Sequence, residues 1–251
     1  MNQETGLTLT NEYAKDYYDR QVGPLESYTN DRWHSSPVRE FEYRQMERAI
    51  SRAIGGRRYE RALEVGPGDG VWTAHTKQQV TGSIHLVEQS EEMLKRARER
   101  FSTETGITYE RSDFQSSNPP GPYDLITAIR CFEYFDDKPG ALRKMRSLLA
   151  PGGRLVLITK NAKLVTGRPV QGQTLHSDQL AKDDMRRLAT ESGLTIERIY
   201  PAVLRWKANI GLMRFVFDIF QRIGVATEGA LPLPPFDPYA TESYVYILRA
   251  S

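Results

Sequence analysis

The chain has 251 residues, of which 39% are hydrophobic and 26% charged, an ordinary balance for a globular protein able to bury a sizeable core. Its 34 basic against 32 acidic residues leave a formal charge of +2, which argues against the concentrated basic surface of a nucleic-acid binder. The single cysteine, Cys131, excludes an internal disulfide and suits a reducing, cytoplasmic setting; the N-terminus reads as no signal peptide, and no run of about 18 apolar residues offers a membrane span.

Residues 1–35 are polar and rich in tyrosine (Tyr13, Tyr17, Tyr18, Tyr28) with no strong periodicity. A helix is expected over 37–55, with Val38, Phe41, Met46 and Ile50 on its apolar side and Gly55-Gly56 as the stop. An alternation then begins. Residues 61–65 form a short apolar strand, followed by the glycine loop 66–70 and a helix to about 79. Residues 83–87 are a second strand, and Ser90 caps a helix whose first turn carries Glu91 and Glu92. Strands over 107–111 and 124–129 follow, then a helix over 139–149 between Asp136-Asp137 and Pro151-Gly152-Gly153. A fifth strand spans 154–159, a helix capped by Ser177 runs to Gly193, and strands over 195–200 and 244–249 complete the series.

Strands alternating with helices of this length imply βαβ crossovers, so the fold class is α/β: a doubly wound sheet of seven strands with helices on both faces. One domain is expected: 1–55 as an N-terminal helical lid, 56–200 as the core, and 201–251 as a helical insertion with the final strand. Ligands of such sheets sit outside the carboxyl ends of the strands, where the strand order reverses.

The loop Glu64-Val65-Gly66-Pro67-Gly68-Asp69-Gly70 stands at that place. Its glycines permit a tight turn and a close backbone approach. A dinucleotide site would put its third glycine where Val71 stands, and Glu64 would repel a pyrophosphate. A ligand without phosphate and with positive charge fits, as S-adenosylmethionine (SAM) does. Glu88 ends the second strand, where a carboxylate can bond both ribose hydroxyls, and Asp113 with Phe114 follows the third, suited to an adenine amino group and ring. Any one of these acids read alone is a solvated surface carboxylate; three at successive strand ends beside the loop are a constellation.

The combination resembles the class I SAM-dependent methyltransferases, in particular the branch acting on small molecules in quinone and natural-product biosynthesis. The resemblance rests on the loop from Glu64 to Gly70, on Glu88-Gln89-Ser90-Glu91-Glu92-Met93-Leu94, on Tyr123-Asp124-Leu125-Ile126 with Cys131-Phe132-Glu133-Tyr134-Phe135, and on Leu149-Ala150-Pro151-Gly152-Gly153-Arg154-Leu155. It covers roughly residues 55–200. It implies a Rossmann-like, mostly parallel sheet with an antiparallel seventh strand, and SAM as cofactor. Gly66 and Gly68 would then line the cofactor's methionine part, with Glu64 and Gly70 of the same loop also binding the cofactor, Glu88 at the ribose, Asp113, Phe114 and Met93 around the adenine, and Ile129 beside the methyl. Many relatives carry His where Tyr134 stands, so the base of this chain is to be sought elsewhere.

Methyl transfer needs alignment of nucleophile and methyl donor, and a hydroxyl acceptor also needs a base. Candidates past the fourth and fifth strands are Glu133, Tyr134 and His176, with His34 in the N-terminal segment. Arg130, Lys160 and Arg168 suggest an acceptor with carboxylate or phosphate, although these cations would equally neutralise Asp136 and Asp137; Tyr17 and Tyr18 are expected at the substrate from the lid. No metal-ligand pattern appears. Residues 206–223 form a helix too apolar for a simple surface face, leaving core packing, a lid, a homodimer contact or a membrane-surface contact open. The expected activity is methylation, at oxygen, of a small-molecule or glycan- or lipid-linked acceptor. An RNA or protein methyltransferase, or a SAM-binding module without catalysis, is the alternative.

Overall fold

The computed structural model describes residues 11–163, 179–205 and 241–251, together with Phe215 and Ile219. The glycine-punctuated alternation forms one sheet of seven strands: β1 (Tyr59–Val65), β2 (Val80–Glu88), β3 (Ile107–Arg111), β4 (Tyr123–Ile129), β5 (Leu149–Lys160), β6 (Leu194–Leu204) and β7 (Thr241–Ala250). Their order is β3-β2-β1-β4-β5-β7-β6. The first five are parallel, and β7 runs antiparallel between β5 and β6. The order reverses between β1 and β4, so the crevice of a doubly wound sheet opens there.

Two cores lie on opposite faces because the strands alternate their side chains. Ala62, Leu125, Val156 and Val245 pack with Met46, Ile50 and Ile54 of α2 (Pro37–Ile54). Leu63, Ile126, Leu157 and Tyr246 pack with Leu142 and Met145 of α5 (Lys138–Leu148) and Met185 of α6 (Lys182–Glu191). Burying such apolar side chains, at about 1.5–3 kcal/mol each, is what holds the helices to the sheet.

The caps follow the sequence closely. Ser90 accepts from the Met93 N–H at 3.2 Å and starts α4 (Glu91–Arg100). Asp137 accepts from the Gly140 N–H at 2.8 Å and starts α5. One expectation is corrected: the crossover after the glycine loop is only the short α3 (Thr73–Lys77). The weakly patterned N-terminal stretch, expected to be helical, contains α1 (Asn11–Val22) and a π-helical turn (Asn30–His34). Helix α1 lacks a broad apolar stripe because it docks through polar bonds. Asp19 accepts from the Ser90 hydroxyl at 2.6 Å, and Arg96 donates to the Val22 carbonyl at 2.9 Å.

The expected Ser177 cap and most of the 206–223 helix lie outside the described residues; α6 begins after Ala181. Within 206–223, Phe215 and Ile219 are helical and exposed. Among the described residues no helix is long and apolar enough to cross a membrane, and no cluster of metal-ligating side chains occurs.

Candidate active site

A cavity of about 990 Å³, counting its open mouth, lies over the carboxyl ends of β1, β2, β4 and β5. Its floor at one end is the glycine loop. Gly66 has φ +62°, and a Cβ there would come within 2.6 Å of the Cys131 Cβ, so this turn excludes any side chain. Pro67 and Gly68 continue the lining. Glu88 ties the two turns together, accepting from the Gly68 N–H at 3.0 Å and the Ser90 N–H at 2.9 Å. Burial raises its pKa, opposed by those same N–H bonds. A carboxylate has about four lone-pair sites, so acceptor capacity remains beyond these bonds.

Met93, Asp113, Phe114 and Ile129 line this end too. Asp113 accepts from the Gln115 N–H at 3.1 Å, which fixes its carboxyl in a tight turn. Phe114 is held from behind by Lys144, whose ammonium sits 4.8 Å from the ring centroid and donates to the Phe114 carbonyl at 2.6 Å.

Two of the expected cofactor residues lie off the lining. Glu64 is buried toward α3; burial pushes its carboxyl up to about 7, with the Thr73 and Thr76 hydroxyls pulling the other way. Gly70, at φ +79°, is a packing position, because a Cβ would meet Phe101 of the α4 C-terminus at 2.7 Å.

The other end is built from long polar side chains. Arg130 follows β4 with a left-handed backbone, φ +62°, a strained conformation for a residue other than glycine. A bidentate pair with Glu242 of β7, at 2.8 and 3.1 Å, holds it there, and its Nε stands 3.7 Å from Glu133. Burial alone would raise the Glu242 carboxyl, but the Arg130 charge outweighs it and holds the group at about 2. Lys160 ends β5; burial, reinforced by Arg130, pushes its ammonium down to about 7. Tyr18 and Tyr134 share a hydrogen bond of 2.9 Å between their hydroxyls, and burial drives both well above the usual phenol range, so they act as neutral donors.

Of the expected catalytic residues that are described, Tyr134 lines the cavity, whereas Glu133 and His34 do not. Glu133 is buried behind the wall, where it accepts from the Thr159 hydroxyl at 3.1 Å. His34 pairs with Glu40 and does not line the cavity; Tyr17 is 37% exposed and does not line it either. His176 and Arg168 lie outside the described residues. Residues that the sequence did not single out complete the wall: Tyr28, Arg32, Trp33 and Trp72. Trp72, directly after the glycine loop, was the findable one; it stacks on Tyr43 at 5.2 Å and meets Trp33 edge-on at 5.0 Å.

Sheet order, glycine turn and the acid ending β2 define a Rossmann-like methyltransferase fold. A family model described as a methyltransferase domain matches residues 38–199, and the chain belongs to that family. A malonyl-[acyl-carrier protein] O-methyltransferase of Ilyobacter polytropus is 28% identical over 106 residues, 42% of this chain and 40% of that protein. A ubiquinone/menaquinone biosynthesis C-methyltransferase, UbiE, of Proteus mirabilis is 31% identical over 122 residues, 46% of this chain and 49% of the relative. The matched stretch is thus under half of either relative. Among solved structures, the N-methyltransferase NodS of Bradyrhizobium japonicum, in complex with S-adenosylhomocysteine (SAH), superposes with a TM-score of 0.64 at 17% identity, over 94% of this chain and 97% of that one. The magnesium protoporphyrin IX methyltransferase of Synechocystis, with bound SAM, gives 0.61 at 12% identity, over 98% and 100%.

Proposed function

We propose that the protein transfers the methyl group of SAM to an oxygen of a small-molecule acceptor, glycan- and lipid-linked molecules included. The observation that carries this reading is one cavity with two chemically distinct ends, Glu88 and Asp113 at one and Tyr134 and Lys160 at the other. SAM supplies a methyl on a sulfonium, a carbon already activated for displacement. The glycine turn admits a ligand against bare backbone, Glu88 accepts from ribose hydroxyls, and Asp113 accepts from an adenine amino group with Phe114 and Met93 against the ring. Tyr18, Tyr28 and Tyr134 surround the acceptor with neutral hydroxyls, which orient an oxygen nucleophile without adding charge. The oxygen preference is supported by the malonyl-carrier relative, whose name states an O-methyltransferase. For a hydroxyl acceptor, His176 keeps the part of base.

The experiment is incubation with deuteromethyl-labelled SAM and separate pools of phenols, carboxylic acids, amines and quinols, read by mass spectrometry. Labelled ethers or esters with SAH release are expected. Label appearing only on nitrogen or carbon would replace the oxygen reading, and SAH that fails to bind would remove the methyl-transfer reading.

A further inference from the structure

We infer that the β4–β5 end of the cavity is an anion subsite, in which a carboxylate of the acceptor lies between the Lys160 ammonium and the Arg32 guanidinium. This rests on the methyl-transfer reading for what the anion belongs to, but its evidence is separate. Three cations line this end: Arg32, Arg130 and Lys160. Arg130 is matched by the bidentate Glu242 pair and by Glu133. The other two are not matched. The acid nearest Arg32 is Glu42 at 4.0 Å, and Glu42 is shared with Arg39 at 2.9 Å and Arg205 at 3.4 Å. The Arg32 Nη1 is buried without a hydrogen-bond partner. Lys160 Nζ has no hydrogen-bond or ion-pair partner among the described residues, while the charges of Arg130 and Arg32 both bear on it.

Unmatched cations at a cavity wall are costly unless a ligand completes them. The groups facing Lys160 are Arg130 and Glu133 after β4, Glu242 on β7 and Arg32 from the N-terminal segment. Burial, with Arg130 and Arg32 opposed by Glu242 and Glu133, leaves the ammonium easily deprotonated, and an entering anion reverses that, so binding draws a proton onto Lys160 near neutral pH. A planar guanidinium beside one ammonium suits a carboxylate. Arg130 fills a different part from the one its sequence position suggested: it braces β4 to β7, and Arg32, from a stretch with no motif, takes its place beside Lys160.

The test titrates the full-length SAH complex with benzoate, malonate, inorganic phosphate and benzyl alcohol by calorimetry, at pH 7 in two buffers of different ionisation enthalpy. Expected are millimolar binding of the carboxylates with net proton uptake, no binding of benzyl alcohol, and phosphate weaker than either carboxylate. Lys160→Met should abolish the proton uptake and weaken carboxylate binding about tenfold or more. Arg32→Met should weaken it similarly, and both variants should keep SAH affinity. Carboxylate binding unchanged in both folded variants, or absent from the wild type, overturns the subsite, and tighter binding of phosphate overturns the carboxylate assignment. Should the wild type not bind SAH, methyl transfer falls, and the same titration of the free protein still decides the subsite.

Discussion

The glycine-loop end of the cavity takes its polar groups from three consecutive βα turns, ending at Gly68, Glu88 and Asp113, whereas the β4–β5 end gathers Tyr18, Arg32, Tyr134, Lys160 and Glu242 from segments far apart in the chain. The first end is made of backbone and short side chains fixed by local turns. The second is made of long cationic and phenolic side chains held by bonds across up to 116 residues, as between Tyr18 and Tyr134. Local turns can specify a cofactor site that many sequences share. A site assembled across distant segments can change one contributor at a time.

The largest effect should follow from breaking the long-range end. Glu242→Gln leaves the buried Arg130 charge with Glu133, 3.7 Å from its Nε, as its remaining acid, and the loss should lie at the low end of the about 3–5 kcal/mol that removing one partner of a buried pair costs. Thermal unfolding should show a fall of about 6 °C or more. Because the folded Glu242 carboxyl is held at about 2, below its ordinary 4.5, its stabilisation is complete above 4.5 and lost as pH falls toward 2. The wild type should therefore lose stability in that window more steeply than the variant does. Equal slopes would remove Glu242 as the brace.

At the local end, Glu88→Ala should weaken SAH binding by about 2 kcal/mol, roughly thirtyfold, in calorimetry, through lost charged hydrogen bonds. Unchanged affinity in a folded variant would move the ribose elsewhere. Gly70→Ala separates the loop's two duties: the added methyl meets Phe101 in a backbone of positive φ, so stability should drop by about 1–3 kcal/mol with SAH affinity retained. Smallest is Asp19→Ala, which cuts the bond from α1 to Ser90. Docking of α1 should loosen by about 1 kcal/mol, seen as faster amide exchange over 11–22, with little change in SAH affinity. No change in exchange would show that α1 is held over the acceptor end by its other contacts.

The difference between the two ends also explains what the sequence disclosed. The seven strands, the reversal at β1 and the cap at Ser90 were legible, since each depends on a run of adjacent residues. Met93, Asp113 and Phe114 stand at the cavity where their turns put them. Glu64 misled because adjacency to a glycine turn says nothing about which sheet face a side chain takes; it belongs to the α3 face. Glu133 and Arg130 looked like acceptor groups because they follow β4, yet their partners, Thr159 and Glu242, reach them only through pairing with β5 and β7. Arg32 and Trp33 carried no signal, because Trp33 is placed by the Tyr43 and Trp72 rings it packs against and Arg32 lies over the Trp33 ring.

Strand β7 has one more consequence, for synthesis of the chain. It enters between β5 and β6 only after both have left the ribosome, and it brings the carboxylate that neutralises Arg130. A nascent or prematurely ended chain that stops before residue 241 therefore leaves β5 with an open edge, β6 with no neighbour and Arg130 without its bidentate partner. Unpaired strand edges template aggregation and mark a chain for degradation. The antiparallel insertion thus makes the acceptor end of the cavity a checkpoint that an incomplete product cannot pass.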